Sequence, residues 1–205
     1  AGEDDCIAIG LNALGNLNNA ASVRNIAIGS GAGDGMGTLA GSTDNVFVGT
    51  NAGGGTWATA VSTQNVAMGT SALGGALNAS NNNVVVGNNA GASITTGDEN
   101  VIIGSAAGDG AVDVDSLVIV GFYAGTAALE SGADGTVLIG AGAGAALTSG
   151  AGNTAVGYQS LDALTGSGQN TALGYGTLGA LVDGDQNTAV GYNAMTSGTH
   201  TSFNF

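Results

Sequence analysis

A short apolar segment that ends in glycine recurs eleven times along the 205-residue chain. The intervals between successive repeat glycines are only 17–20 residues. Helical repeats need about 33 residues or more, so this period indicates one coil of a parallel β-solenoid or β-roll. The repeat glycines are Gly10, Gly29, Gly49, Gly69, Gly87, Gly104, Gly121, Gly140, Gly157, Gly174 and Gly191.

Other positions keep a fixed distance from each glycine. A small residue stands three positions after it, and a larger apolar residue follows seven or eight positions after it in all but the last repeat. Asparagine, which tolerates the left-handed region and bonds its own backbone, precedes eight of the strands. Stacked in register, these amides are expected to hydrogen-bond from coil to coil, while the glycines allow a sharp corner or a positive φ. The asparagines are Asn25, Asn45, Asn65, Asn83, Asn100, Asn153, Asn170 and Asn187.

The strands themselves do not alternate between apolar and polar residues. Their middle position is alanine or a larger apolar residue in every copy, as in Ala27, Phe47 and Ile102. Both faces of the sheet are therefore expected to be covered. One face fills the interior of the coil, and the other packs against a neighbouring chain, where the frequent alanines allow close approach about a shared axis. The sequence thus predicts an all-β solenoid of about eleven coils that associates with itself.

Charge and composition exclude several classes of partner. Fifteen acidic residues face one basic residue, Arg24, for a net charge of −14. A nucleic-acid partner requires clustered Lys and Arg, so none is expected, and no apolar run approaches the ~20 residues that span a bilayer. All fifteen acidic residues lie between the strands. Collagen is excluded by the absence of proline and of a three-residue glycine period, and 43% hydrophobic residues argue against disorder.

The repeat pattern runs into both ends of the sequence. The segment Gly2–Cys6 matches the loop Gly97–Asn100, and Asn204 and Phe205 stand where a twelfth strand is expected to start. We therefore interpret residues 1–205 as a single solenoid shaft segment that is cut within a repeat at both ends.

Two sets of repeats resemble known fibre families. The segments Asn25–Ala32 and Asn65–Ala72 resemble the head repeats of YadA-type trimeric autotransporter adhesins, whereas Gln169–Leu178 and Gln186–Met195 resemble phage tail-fibre arrays. The resemblance implies a parallel β-roll built by three chains around one axis. It also implies an extracellular location, on a virion surface or alternatively on the outer surface of a bacterium.

No catalytic constellation stands out in the sequence. The segment Val137–Ala145 mimics a dinucleotide fingerprint, but that motif needs a helix in a βαβ unit, and here it is one more solenoid repeat. The only histidine, His200, and the only thiol, Cys6, are 194 positions apart. We interpret Cys6 as a strand-entry residue that replaces Asn, and we expect neither an enzyme nor a cofactor.

Two sets of residues are candidates for ligand binding: four aspartates and the segment around the single tryptophan. Asp34 and Asp109 each stand between glycines, and Asp183 and Asp185 pair carboxylates two apart, so these acids are weak candidates for calcium ligation; the alternative is plain solvated loops. Trp57 occupies the large apolar slot and is either core or an exposed ring for glycan stacking. The inserted stretch 56–63 around it is a candidate binding loop.

These observations predict a non-catalytic shaft of an extracellular fibre, with a phage tail fibre or similar virion appendage that presents a host-binding tip as the leading interpretation. A bacterial surface adhesin head of the trimeric autotransporter type is the alternative. The partners are then further copies of the chain and a host receptor or glycan. An ice- or calcium-binding solenoid is a third class, but Thr154, Thr171 and Thr188 form only a short threonine array.

Overall fold

A computed structural model describes residues 5–17, 21–37, 41–57 and 60–196. Within these ranges, eleven strands of three residues form one parallel sheet in chain order, and two single 3-10 turns, Asp34–Met36 and Ser131–Ala133, are the only helical segments. The predicted parallel β-solenoid is confirmed. The strands are β1 Ile7–Ile9, β2 Ile26–Ile28, β3 Val46–Val48, β4 Val66–Met68, β5 Val84–Val86, β6 Val101–Ile103, β7 Val118–Val120, β8 Val137–Ile139, β9 Thr154–Val156, β10 Thr171–Leu173 and β11 Thr188–Val190.

Equivalent repeat positions lie directly above one another. Val85 pairs with Ile102, which in turn pairs with Ile119. The backbone ladder continues beyond the strands, since the Gly91 N–H donates to the Ala107 carbonyl of the next coil at 2.9 Å. The differences in repeat length are absorbed in the turns and leave the strand register unchanged.

The middle residue of the strands points into the coil of its own chain. This residue is fully buried in β2 to β10, and Ala189 in β11 is 5% exposed, whereas all three residues of the first strand, β1, are exposed. The expectation that the alanine-rich middle positions lie at an axis shared between chains is therefore wrong. The first and third strand positions face outward instead, because side chains alternate between the two faces of a sheet.

In nine of the eleven coils, the narrow interior is filled by a matched pair of residues six positions apart. Where the middle strand residue is bulky, the residue six positions later is glycine: a Cβ on Gly144 would lie 2.6 Å from the Leu138 Cδ2 atom of its own coil. In four of the coils whose middle residue is alanine, the same later position is a buried leucine, as in the coil of Ala155 and Leu161. The coils of Ala27 and Ala189 differ, because they carry Gly33 and the half-buried Met195 there. Bulky–glycine coils are Phe47/Gly53, Val85/Gly91, Ile102/Gly108, Ile119/Gly125 and Leu138/Gly144, and alanine–leucine coils are Ala8/Leu14, Ala67/Leu73, Ala155/Leu161 and Ala172/Leu178.

The large apolar slot after each glycine also belongs to the core. Met36, Leu77, Ile94 and Leu129 in this slot are fully buried. In the sixth coil the prediction is off by one residue, because Ala111 is buried while Val112 is only half-buried.

The asparagines before the strands form the predicted hydrogen-bond ladder. Asn83 is fully buried, and its amide Nδ2 donates to Asn65 Oδ1 at 3.0 Å and to the Gly97 carbonyl at 2.9 Å. The ladder is interrupted at Leu117 and Thr136. The left-handed φ expected for these asparagines falls instead on the preceding residue. An asparagine that enters the strand keeps its amide inside the coil, so the turn is made one position earlier.

Cys6 takes the asparagine position in the first coil, as predicted. Its thiol sulfur accepts a hydrogen bond from the Asn25 backbone N–H at 3.5 Å and donates to the Ser22 carbonyl at 3.6 Å.

The repeat glycines permit contact between successive coils. Gly87 has a φ of 142°, and a Cβ there would lie 2.3 Å from the Gly104 carbonyl oxygen of the next coil. A side chain would collide with backbone, which explains why glycine ends every strand. The start of the Gly2–Cys6 loop, the proposed twelfth strand at Asn204 and Phe205, and His200 lie outside the described residues.

Candidate functional site

The outward face of the sheet is a continuous apolar stripe. Its third-position column is aliphatic in all eleven strands and includes Ile28, Met68, Ile103, Ile139 and Leu173, which are 37–47% exposed. Soluble monomers rarely expose long contiguous apolar patches, and such patches mark interaction sites. This surface is therefore suited to contact with another molecule along the length of the coil.

A column of aromatic rings runs beside this stripe, directly after the repeat glycines. Tyr158 and Tyr175 stack with their ring centroids 5.0 Å apart and their planes 19° apart, and Tyr175 and Tyr192 stack at 5.2 Å and 20°. The three tyrosines thus form a ladder, and all three rings are at least 46% exposed. Phe122 occupies the same column two coils before Tyr158 and packs edge-to-face on Tyr123, with the centroids 4.3 Å apart.

The four calcium candidates do not come together. Asp34 and Asp109 lie four coils apart, about 19 Å along the stack. Asp183 and Asp185 share one loop but serve as hydrogen-bond acceptors, from the Ser167 hydroxyl and from the Gly168 backbone N–H respectively. Across the described ranges, no three His, Cys, Asp or Glu side chains are grouped so that they could hold a metal ion.

A further acidic column was missed from the sequence. Asp98, Asp115 and Asp134 lie on successive coils; the Asp98 backbone N–H donates to Asp115 Oδ1 at 2.7 Å, and the Asp115 N–H donates to Asp134 Oδ1 at 2.9 Å. The signal was present, because each aspartate stands six residues before a repeat glycine. These carboxylates cap the turn amides of the preceding coil.

Three carboxyl groups among the described residues have shifted pKa values. Arg24 forms a two-point ion pair with Asp44 at 2.6 and 2.8 Å, and this hydrogen bonding lowers the pKa of Asp44 to about 2. Burial raises the pKa of Asp34 and of Asp162 above the ordinary aspartate value. None of the three is paired with a second titratable group suited to acid–base chemistry.

The remaining sequence candidates have structural positions. Trp57 is 4% exposed and packs edge-to-face on Phe47 at 5.9 Å, so it belongs to the core; the stretch 56–63 contains residues 58 and 59, which are not described. The segment from Val137 to Ala145 is strand β8 followed by turns. Thr154, Thr171 and Thr188 align in register on the outward face, and other coils carry Ile or Val there.

In the part of the chain that the structure describes, no helix has the length and apolar character to cross a membrane. Comparison of the chain with protein-family models, with curated proteins and with solved structures finds no match.

Proposed function

We propose that the chain is a non-catalytic structural shaft of an extracellular fibre, in which three copies associate through the outward face of the sheet. The observation that carries this proposal is the uncharged aliphatic column on all eleven strands. Every acidic residue that the structure describes lies outside the strands. In an isolated chain this aliphatic column is exposed to water. Association of copies buries it, which is favourable by about 25 cal/mol per Å² of apolar surface.

The proposed fibre is a phage tail fibre or a similar virion appendage that presents a host-binding tip. The tail-fibre-like repeats in the last coils support this origin, and the near-absence of Lys and Arg suits a particle that stays soluble in salt. The adhesin-like repeats Asn25–Ala32 and Asn65–Ala72 favour a bacterial surface adhesin as the second candidate. Neighbouring genes distinguish the two: virion genes support the first, and a gene region encoding a C-terminal membrane barrel supports the second.

The self-association is tested by measuring the mass of the chain, with its flanking sequence, by sedimentation equilibrium. We expect three times the chain mass for the wild type. Ile103→Glu, on the outward sheet face, is expected to give monomers because it places a charge in the proposed contact. Val182→Glu is the matched control, since Val182 is 53% exposed but lies between strands β10 and β11 rather than on the sheet face, and it should leave the mass unchanged. A monomeric wild type would contradict the proposal.

A further inference from the structure

The column of aromatic rings is interrupted at one coil. Between Phe122 and Tyr158, the equivalent position in the intervening coil is Ala141, and it is followed by Gly142. The small pair forms the floor of a recess of about 190 Å³, with Phe122 and Tyr123 on one side and Tyr158 with Gln159 on the other. We call this recess the notch.

One wall of the notch, Tyr158, turns an aromatic face toward its interior. Tyr175 stacks on one face of Tyr158, so the opposite face is directed at the coil of Ala141, which carries no ring to cover it. Tyr158 is 46% exposed and Phe122 is 58% exposed. Their coils are two steps of the stack apart, about 9.6 Å at the usual strand spacing. One ring fits between them, at the spacing that the tyrosine ladder itself uses.

The chemistry of the notch selects a neutral ring with polar edges. Its lining is mostly apolar, and the Gln159 amide supplies hydrogen-bond donors and an acceptor at one side. The single Arg or Lys of the chain, Arg24, is paired with Asp44 and lies six coils away, about 29 Å along the stack. An anionic ligand therefore finds no counter-charge, and the net charge of −14 repels it.

We propose that the notch binds one pyranose ring of a neutral glycan. The C–H faces of the sugar pack on the aromatic walls, and its hydroxyl groups bond to Gln159 and to water at the open side. The volume is below the ~300 Å³ of a pocket for a drug-sized ligand, so a single ring is the unit that it accommodates. This binding activity goes beyond the proposed structural role, and the notch is formed by residues of one chain alone.

The test uses the full chain and three neutral hexasaccharides, maltohexaose, cellohexaose and N-acetylchitohexaose, with hexagalacturonate, in which every ring carries a carboxylate, as an anionic comparator. Saturation-transfer NMR detects contact, and titration followed by tyrosine fluorescence gives the Kd. We expect saturable binding of at least one neutral hexasaccharide and weaker binding of hexagalacturonate. Tyr158→Ala should weaken the Kd at least about fivefold, which is the lower end of the loss when the aromatic side chain under a stacked nucleobase is removed.

Ala141→Tyr is the sharpest variant. The same column carries tyrosine in three other coils, so the substitution fits the fold, completes the ladder and fills the notch. It should reduce binding at least about tenfold while circular dichroism stays unchanged. Tyr192→Ala is the control, because it removes a ladder ring outside the notch and should alter the Kd less than twofold.

Three results would overturn the proposal: no binding of any neutral hexasaccharide, an unchanged Kd in Ala141→Tyr, or equal affinity for hexagalacturonate. The oligomer mass is measured separately, so a monomer that binds glycan refutes the shaft proposal alone, and a trimer that binds none refutes the notch alone.

Discussion

The pairing of a bulky strand residue with a glycine six positions later can be tested by exchanging the two side chains. In the wild type, Leu138 fills the space above Gly144, whereas in the next coil Ala155 leaves room for Leu161. The double variant Leu138→Ala/Gly144→Leu converts the first arrangement into the second. We expect it to be much more stable than the sum of its single variants predicts.

The magnitudes follow from the packing. Leu138 is fully buried, so Leu138→Ala alone should lower the free energy of unfolding by about 2–5 kcal/mol. Gly144→Leu alone places a Cβ 2.6 Å from Leu138 Cδ2 and should cost about 1–3 kcal/mol through overpacking. It also costs about 1–2 kcal/mol because Gly144 has a φ of 57°. Leu161 accepts the same backbone geometry at a φ of 52°.

In the double variant the cavity and the clash cancel, and mainly the backbone cost remains. The expected coupling energy is therefore favourable by at least about 2 kcal/mol, at the upper end for contacting residues. Guanidinium unfolding followed by circular dichroism measures it, at one fixed protein concentration because association contributes to stability. Leu138→Ala/Gly53→Leu is the control, since the two sites lie five coils apart and should be additive. Additive losses at Leu138 and Gly144 would refute the pairing.

Three further outcomes are expected. Asn83→Ala should lower the free energy of unfolding by about 1–3 kcal/mol, because the buried Asn100 N–H loses its acceptor at 3.0 Å; a neutral effect in denaturant unfolding would show that water replaces the amide. Arg24→Met should raise the pKa of Asp44 from about 2 toward the ordinary aspartate value in a carboxyl NMR titration, because it removes the largest cause of the lowered pKa and leaves the hydrogen bond from Thr43. The Arg24–Asp44 ion pair stabilises the folded state at pH values above the ordinary aspartate pKa, and this stabilisation is lost as the pH falls toward 2. A difference in the free energy of unfolding between the wild type and Arg24→Met that does not change with pH would contradict this. Asp162→Asn should be more stable than the wild type at neutral pH and equal to it near pH 3. Burial raises the pKa of Asp162, so its ionised form opposes folding. Denaturant unfolding at both pH values measures this difference in the free energy of unfolding, and a variant less stable at neutral pH would contradict it.

The candidate surfaces differ in how far the sequence predicts them. The tyrosine ladder follows from the spacing of Tyr158, Tyr175 and Tyr192 alone, because residues at one repeat position must stack when the register is constant. The notch, in contrast, can be recognised only in the structure. A missing ring at Ala141 matters only once Tyr158 is known to be exposed and stacked on its other face by Tyr175.

The fixed spacing of glycine, asparagine and small residues determined the all-β solenoid, its parallel register and the buried amide ladder, since these are local rules repeated eleven times. The direction of each strand face was decided only by the tertiary structure. An apolar residue in the middle of a strand is compatible with either face of the sheet, and only the space opposite it in the coil places it inside. Leu161 fills the space opposite Ala155 in one coil, and Leu138 itself fills the space over Gly144 in another. The spacing of residues in the sequence determines which of them stack from coil to coil. The space available to a side chain inside a coil depends on where the turns place the opposite wall of that coil.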